Sequence, residues 1–412
     1  MLWEDLSRYF SDLEVKKLIN LVPINGVRLG TTSAGILDKT EPDLVVLELQ
    51  RDCNLAGVFT RSTLKAAPVK ICERNLSIRS PEYIIVNTGI ANSGTGKQGL
   101  IDAESVCEYL AEITNSHIEA VMPCSTGKVG EYLPVKKILT AIPNALKNLS
   151  PSGWSEAAQG ILTIDSGPKG TSKTIMDDKV NITGIVKGSG MIKPNMATML
   201  AFIATDAKID QELLNYALTQ AVNKTFNRLT IDRDTSTNDS AFLIATGKSG
   251  VVVDDGNFDI FYSDLVSLFD ELALAIIKDP VDAKHILEIS VINAASEFEA
   301  SRIAFEIAES LSVKTAISNR NPFWGYILVA IGHVNLNDLN EKKINIWINE
   351  NHVVIDGCVN PHLTGDVDDL FDEVLAMKID LARGLASERV LSNEVLHHAI
   401  CSQISVQEPN LV

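Results

Sequence analysis

The chain has 412 residues, 45% of them hydrophobic and 22% charged, and a formal net charge of -17. This length exceeds that at which one core usually keeps growing, so we expect a globular protein with two or more layers or domains. No basic segment offsets this negative net charge. This argues against binding to nucleic acid or to an anionic membrane surface and favours small-molecule partners.

The N-terminal sequence MLWEDLSRYFSDLEVKKLINL carries acidic residues throughout and lacks the basic and apolar segments of a signal peptide. The longest apolar runs, such as MLAFIA and FWGYILVAIG, are too short to span a bilayer. A cytoplasmic protein is therefore expected.

The 6 cysteines are scattered, with no CxxC pair and no matching histidine cluster that would form a zinc site. Cys124 lies beside Ser125 and Thr126, but no histidine nearby in the sequence is available to activate it as a nucleophile. We therefore expect reduced, mostly buried thiols and no metal site.

Strand and helix patterns alternate along the chain without a fixed repeat. Clustered β-branched residues predict strands in PDLVVLELQ (42–50) and EYIIVNTGI (82–90), and EKKINIWINENHVVIDG (341–357) predicts a strand, a turn and a strand. Apolar residues at three-to-four spacing predict one helix in each of DAESVCEYLAEITN (102–115), DQELLNYALTQAVNKTF (210–226) and FEASRIAFEIAESLSVKTAI (298–317). The polar segment NLSPSGWSE (148–156) is the best candidate for a linker.

Two polar segments that contain glycine each follow an apolar run, VNTGIANSGTGKQG (86–99) and PCSTGKVGEYLP (123–134). Neither is a phosphate loop, because the GxxxxGK pattern needs a glycine where Ala91 and Met122 stand. From these residues alone, turns with Ser and Thr helix caps are the favoured interpretation.

The segment GSGMIKPNMATMLAFIATDA (188–207) leads from a glycine-rich turn into an apolar run, with Thr198 at its start. A threonine hydroxyl needs a base within hydrogen-bond reach to act as a nucleophile. No histidine lies nearby in the sequence, but the α-amine of Thr198 itself would serve, since an amino terminus titrates at about 7.7 to 8.0. This chemistry requires cleavage between Ala197 and Thr198.

KGSGMIKPNMATMLAFIATDA resembles the self-cleavage signature of the ornithine acetyltransferases, the bifunctional glutamate N-acetyltransferases of arginine synthesis. The similarity runs from about residue 20 to about residue 335. Further segments that resemble the family, in the family's order, are AGVFTRSTLKAAPV (56–69), VNTGIANSGTGKQG, STGKVGEYLP, TFNRLTIDRDTSTNDS (225–240), SVKTAI and NPFWGYILVAIG.

This resemblance implies an α+β fold, an αββα sandwich similar to the N-terminal-nucleophile hydrolases but with different connectivity. It also implies that self-cleavage yields an N-terminal fragment, 1–197, and a C-terminal fragment, 198–412, with a smaller α/β region from about residue 285. Two copies of each fragment are expected to form a heterotetramer.

The resemblance also implies the chemistry of the site. The Thr198 hydroxyl attacks the Ala197 carbonyl, and the ester that forms is hydrolysed to release a new amino terminus. Thr198 then attacks the acetyl group of N-acetylornithine, and glutamate accepts the acetyl group from the enzyme. No bound cofactor is expected, although acetyl-CoA remains open as an acetyl donor.

Four further residues match positions with roles in the family. Thr126 and Gly127 match its oxyanion hole, a hydroxyl and a backbone N–H, and Lys187 matches a lysine that binds substrate. Thr163 falls where the family has a substrate-binding Thr-Thr-Asp run, whose second Thr is Ile164 here.

The chain departs from the family pattern at three places. Val281 stands where the family has a Glu that holds the substrate amine, with Asp282 one residue later, and Tyr326 replaces the Arg of a Trp-Gly-Arg run. The C-terminal sequence SNEVLHHAICSQISVQEPNLV lacks the family's Ile-Asn-Ala-x-Tyr run. Three hypotheses stay open: an acetyltransferase, an amidohydrolase or aminopeptidase that uses the same Thr198, and a relative that cleaves itself without turnover.

Overall fold

The structure is a computed structural model that describes residues 21–37, 41–193, 199–279, 283–363 and 370–394. Its described residues fall into two compact units. The larger unit contains the described residues up to Asn227 together with Thr235–Ile276, and the smaller unit contains Arg228–Asp234 and the described residues from Ile277 onward. Each unit is built around β-sheet.

The strands of the larger unit form two main sheets and one short pair. Their bounds are β1 Val27–Thr32, β2 Leu44–Leu49, β3 Asn54–Phe59, β4 Tyr83–Ile90, β5 Val121–Lys128, β6 Lys169–Ile175, β7 Val180–Lys187, β8 Leu200–Thr205, β9 Lys208–Ile209, β10 Ser240–Ala245 and β11 Val252–Val253. The first sheet has the order β1-β2-β4-β5 and the second has the order β3-β10-β8-β7-β6, while β9 pairs with β11.

Helices accompany both main sheets. They are α1 Ala67–Leu76, α2 Gly96–Thr114, α3 Val135–Lys147, α4 Trp154–Gly160, α5 Gln211–Lys224 and α6 Phe258–Lys278, with short 3-10 helices at Ile118–Ala120 and Phe226–Arg228. Asp210 shows why α5 begins where it does, because its side chain accepts the Leu213 N–H at 2.9 Å and so satisfies a free donor of the first turn.

The side chains of each strand point alternately to the two faces of the sheet, and this explains how the layers stack. Successive side chains of a strand point to opposite faces, so the apolar run of β2 supplies two cores. Val45 joins Phe202 and Phe242 of the second sheet in a core between the sheets, whereas Leu44 joins Val106 of α2 in a core under the helices. The first sheet is therefore buried on both faces.

Helices also cover the outer face of the second sheet. α5 packs against β3 and β10. Gly184 of β7 lies directly under α6, since a Cβ atom there would lie 2.9 Å from Leu272 Cδ1. The layers are thus helix, sheet, sheet and helix, which confirms the αββα sandwich.

The smaller unit contains one six-stranded sheet with the order β15-β14-β13-β16-β12-β17. Its strands are β12 Ile286–Ala294, β13 Asn345–Ile348, β14 Asn351–Ile355, β15 Cys358–Val359, β16 Val374–Asp380 and β17 Ala386–Asn393. Its helices are α7 Glu297–Ala308, α8 Leu311–Ser318 and α9 Trp324–His333, with a 3-10 helix at Glu341–Lys343. Apolar residues of these helices and of the sheet share one core.

The strands predicted at 42–50 and 82–90 and the hairpin at 341–357 are confirmed by β2, β4 and the β13–β14 pair. The single helix expected over 298–317 is wrong. The stretch forms α7 and α8, because Ser310 accepts the Val313 N–H at 3.4 Å and begins a new helix two residues after α7 ends.

The linker expected at 148–156 is also wrong, because this segment lies inside the larger unit. Its backbone pairs with β1 through two hydrogen bonds between Ser150 and Leu29, at 2.9 and 3.0 Å. Trp154 at its end is fully buried and starts α4. The polar composition of the segment reflects a tight turn rather than a boundary.

Among the described cysteines, four are buried and Cys358 is exposed, as expected for mostly buried thiols. In the part of the chain that the structure describes, no helix is long and apolar enough to cross a membrane.

Candidate active site

Three strands of the second sheet have ends that lie side by side where β8 begins. Lys187, the last residue of β7, pairs with Leu200, the first residue of β8. Leu200 pairs on its other side with Ser240, the first residue of β10. Because Thr198 is two residues before Leu200 in the sequence, the chain enters β8 at this edge.

The first sheet contributes Thr126 and Gly127 through the end of β5. β5 runs parallel to β4, with Gly127 opposite Gly89. Gly127 has a φ of 131°, and a Cβ atom on it would lie 2.1 Å from the Gly89 carbonyl carbon. Only glycine fits this close approach, so the STGK segment takes a backbone path closed to other residues.

Lys187 joins the two sheets at this edge. Its ammonium group donates to the hydroxyl oxygens of Thr126 at 3.2 Å and Thr163 at 2.9 Å. The Lys187 side chain is only 12% exposed. Three of the residues singled out from the sequence, Thr126, Thr163 and Lys187, are therefore brought together, with Gly127 beside them.

Asp165 lies behind this cluster and was not singled out from the sequence. Its fully buried carboxylate accepts Lys169 Nζ at 2.8 Å, the Gly188 N–H at 2.7 Å and the Thr163 N–H at 3.1 Å, and lies 3.8 Å from Lys187 Nζ. The carboxylate thus fixes both the segment that carries Thr163 and the residue that follows Lys187.

The Asp165 carboxylate in this cluster is stabilised in its ionised form. Burial alone would raise the pKa of Asp165, but the ammonium groups of Lys187 and Lys169 and the hydrogen bonds outweigh it and hold that pKa well below its ordinary value. Two lysines thus share one carboxylate. The ammonium group of Lys187 remains partly exposed and is suited to a substrate carboxylate.

Asn238 is a second residue that sequence reasoning missed. Its side-chain amide donates to the Ala91 carbonyl at 2.5 Å and to the Ser125 carbonyl at 2.9 Å, and Thr237 Oγ1 donates to Ser93 Oγ at 2.7 Å. The Ser125 carbonyl belongs to the peptide group that leads into Thr126. The segment before β10 thereby ties together both glycine-bearing segments noticed in the sequence.

Asp165 and Asn238 both lie within sequence motifs that had already been noted. Asp165 lies in ILTIDSGPK, two residues after Thr163, and Asn238 lies in TFNRLTIDRDTSTNDS. The sequence motifs do not indicate which polar side chains are buried. Asp165 and Asn238 are important for the site because their side chains are buried.

Several predicted residues lie outside the described part of the chain. These are Ala197 and Thr198, Val281 and Asp282, and residues 395–412 of the C-terminal segment that lacks the family's Asn. Tyr326 is described, and it lies on α9 of the smaller unit with 45% of its surface exposed. Within the described residues, no group of three or more His, Cys, Asp or Glu side chains could hold a metal ion.

A separate cleft of about 510 Å³ lies at the start of β1 and β4 and the end of β2, and Arg28, Glu48, Arg51 and Glu82 line it. Arg28 pairs with Glu48, and Arg51 pairs with Glu82 at 3.4 Å. Gly127 and Gly89 lie at the other end of β4 and β5, so the cleft is distinct from the cluster around Lys187.

Asp165→Asn is expected to lower the free energy of unfolding by about 3 to 5 kcal/mol, because removing one partner of a buried ion pair leaves the other charge uncompensated. Chemical denaturation of the purified variant measures this change. Asp177→Asn is the matched control, because its pair with Lys179 is 3.6 Å long and its carboxylate is 91% exposed. Equal free energies of unfolding for the two variants would show that the buried ion pairs of Asp165 do not contribute to stability.

The profile of the ArgJ family matches residues 28–400. The "Arginine biosynthesis bifunctional protein ArgJ" of Methylococcus capsulatus is 40% identical over 381 residues, which cover 91% of this chain and 93% of that protein.

Two solved structures are also similar. The crystal structure of the arginine biosynthesis bifunctional protein ArgJ from Bacillus halodurans has a TM-score of 0.47 and 28% identity, and covers 50% of this chain and 99% of that chain. The ornithine acetyltransferase complexed with ornithine from Mycobacterium tuberculosis has a TM-score of 0.41 and 32% identity, and covers 43% of this chain and 94% of that chain. On the profile match and the identity across most of both sequences, the chain belongs to the ArgJ family.

Proposed function

We propose that the protein is a self-cleaving acetyltransferase of arginine synthesis. Cleavage after Ala197 makes Thr198 an amino-terminal nucleophile, which moves an acetyl group from N-acetylornithine, or a related N-acetyl amino acid, to glutamate. Membership of the ArgJ family supports this proposal. The observation that carries it is the Lys187 ammonium, held between the Thr126 and Thr163 hydroxyls beside Gly127.

The contact between Lys187 and Thr126 supports the oxyanion role of Thr126. An ammonium group only donates hydrogen bonds, so the Thr126 oxygen accepts from Lys187 and its own O–H hydrogen points to a different acceptor. A developing oxyanion is such an acceptor, and the Gly127 N–H is the second proposed donor. Donors held in place before the reaction need no rearrangement when the charge forms.

Lys187 is also proposed to bind the substrate carboxylate. The side chain of its partner Asp165 is fully buried and already paired with Lys169 at 2.8 Å, whereas the distance from Asp165 to Lys187 is 3.8 Å. The charge of Lys187 is thus the less neutralised of the two. An amino-acid carboxylate placed near it would gain a charge-assisted hydrogen bond.

In turnover, the α-amine of Thr198 accepts the hydroxyl proton as Thr198 attacks the acetyl carbonyl, and the acetyl-enzyme then passes the acetyl group to glutamate. The fragments 1–197 and 198–412 are proposed to assemble as a cytoplasmic heterotetramer of two copies each. Acetyl-CoA is proposed as a second acetyl donor. It would act as a substrate, so the protein would need no bound cofactor.

An acetyl-transfer assay tests the proposal. Purified protein is incubated with N-acetylated amino acids with and without glutamate, and N-acetylglutamate, acetate and free amino acid are quantified. Formation of N-acetylglutamate supports the acetyltransferase. Acetate release that does not need glutamate would identify an amidohydrolase, and fragments without turnover would identify an inactive relative.

The donor preference follows from Val281. We expect higher kcat/KM for N-acetylnorvaline or N-acetylleucine than for N-acetylornithine, because a buried ammonium without a carboxylate partner is unfavourable and an apolar side chain gains from burial. Steady-state kinetics with glutamate as the acceptor measures the ratio, which reports differential transition-state binding. Val281→Glu should shift the preference toward N-acetylornithine, and a clear preference of the unmodified protein for N-acetylornithine would refute the inference.

A further inference from the structure

Asp239 is a buried carboxylic acid beside the start of β8. The residue is 2% exposed and directly precedes β10. β10 runs parallel to β8, with Ser240 opposite Leu200, and the Ser240 N–H donates to the Met199 carbonyl at 2.9 Å. Asp239 therefore lies alongside Met199, the residue that follows the proposed nucleophile in the sequence.

The Asp239 carboxyl group has an unusual set of partners. Ser236, the Met199 backbone and Lys187 lie close enough to it to favour its ionised form, and Lys187 is the charged group among them. Its Oδ2 atom has no hydrogen-bond partner within the described part of the chain. Burial raises the pKa of Asp239 well above its ordinary value, against the opposing effects of Ser236, Lys187 and Met199.

Self-cleavage needs a proton-transfer group that none of the residues assigned so far provides. The α-amine that serves as the base in turnover is still an amide nitrogen in the uncleaved chain, where it is the leaving group. Lys187 Nζ donates two of its three hydrogens to threonine hydroxyls and is proposed to bind the substrate carboxylate with the third, and Thr126 is proposed as an oxyanion donor in acetyl transfer. An amide nitrogen leaves readily only when it gains a proton as the C–N bond breaks.

We propose that Asp239 is the proton-transfer residue of self-cleavage. The Thr198 oxygen forms a bond to the Ala197 carbonyl carbon, and the C–N bond between Ala197 and Thr198 breaks. Asp239 Oδ2–H gives its proton to the departing nitrogen, and the carboxylate recovers a proton from the Thr198 hydroxyl group. Water then hydrolyses the ester to the Ala197 carboxylate and the free Thr198 hydroxyl.

This inference rests on the proposed function, since it assigns a role in the cleavage that creates the nucleophile. It also explains why a carboxyl group is kept away from water at this position. Burying a carboxyl group whose Oδ2 has no partner among the described residues costs stability, and its protonated form can donate where an ordinary ionised aspartate can only accept.

The test is the rate of self-cleavage of the full chain, followed by pulse-labelled cell-free translation and separation of the fragments. Asp239→Asn is expected to slow cleavage by about 100-fold or more, since general acid–base groups typically contribute that much. Asp206→Asn is the matched control: Asp206 is also buried, follows the other end of β8 and accepts the Asn181 N–H at 2.8 Å. This control should cleave at the rate of the unmodified chain.

The pH dependence separates a chemical role from a structural one. A general acid acts in its protonated form, so cleavage of the unmodified chain should slow as the pH rises through the raised pKa of Asp239. Asp239→Glu should keep a falling limb, whereas Asp239→Asn should lose it. If Asp239→Asn does not fold, the profiles of the unmodified chain and of Asp239→Glu decide the matter.

The outcomes distinguish this inference from the proposed function. Cleavage of folded Asp239→Asn at an unchanged rate, or a cleavage rate that does not fall with rising pH in the unmodified chain, would overturn the role of Asp239 alone. An unmodified chain that never cleaves would overturn the proposed nucleophile chemistry as well.

Discussion

Thr198→Ala is expected to leave the protein as a single chain of 44.8 kDa, whereas the unmodified protein should separate into two fragments. The methyl side chain of alanine has no hydroxyl group to attack the Ala197 carbonyl, so neither the ester nor the new amino terminus can form. A denaturing gel followed by intact mass measurement shows the difference and identifies the cleaved bond. Acetyl transfer should disappear with it.

Two variants control for general effects of a threonine substitution. Thr198→Ser keeps a hydroxyl group and should still cleave. Thr174→Ala removes an exposed hydroxyl that bonds only Asn181 in the hydrogen bonds described, at 3.0 Å, and should cleave like the unmodified chain. Cleavage of Thr198→Ala at the same bond would instead show that a protease or another residue cuts the chain.

Thr126→Ala is expected to reduce kcat for acetyl transfer by about 100- to 1000-fold, because losing one oxyanion donor removes about 2.7 to 4 kcal/mol of transition-state stabilisation. Folding and self-cleavage should largely persist. An interaction made only in the transition state lowers kcat and kcat/KM equally, so steady-state kinetics on the cleaved variant separates this role from substrate binding.

Thr126→Ser is the matched control, since it retains the hydroxyl that accepts from Lys187 at 3.2 Å. Its kcat should stay close to that of the unmodified enzyme. A rise in KM with unchanged kcat in Thr126→Ala would assign Thr126 to ground-state binding, and unchanged kinetics would return it to a structural role near the end of β5.

Much of the secondary structure was predictable because it depends on short-range patterns. β2 and β4 follow from runs of β-branched residues, and α5 follows from its apolar spacing and the Asp210 cap. The split of 298–317 into two helices was missed, since Ser310 stands within a continuous helical pattern and its capping role appears only in the backbone geometry.

The sequence by itself determined the family resemblance and the candidate nucleophile, because the cleavage signature is contiguous and its chemistry depends on covalent neighbours. Only the tertiary structure decided that Lys187 reaches Thr126, 61 residues away along the chain, because that contact depends on the stacking of two sheets. Burial of Asp165 and Asp239 was likewise decided by packing. Burial by itself raises both pKa values, but the pKa of Asp165 is lowered overall because two lysines pair with it, whereas the pKa of Asp239 stays raised and one of its oxygens has no partner among the described residues.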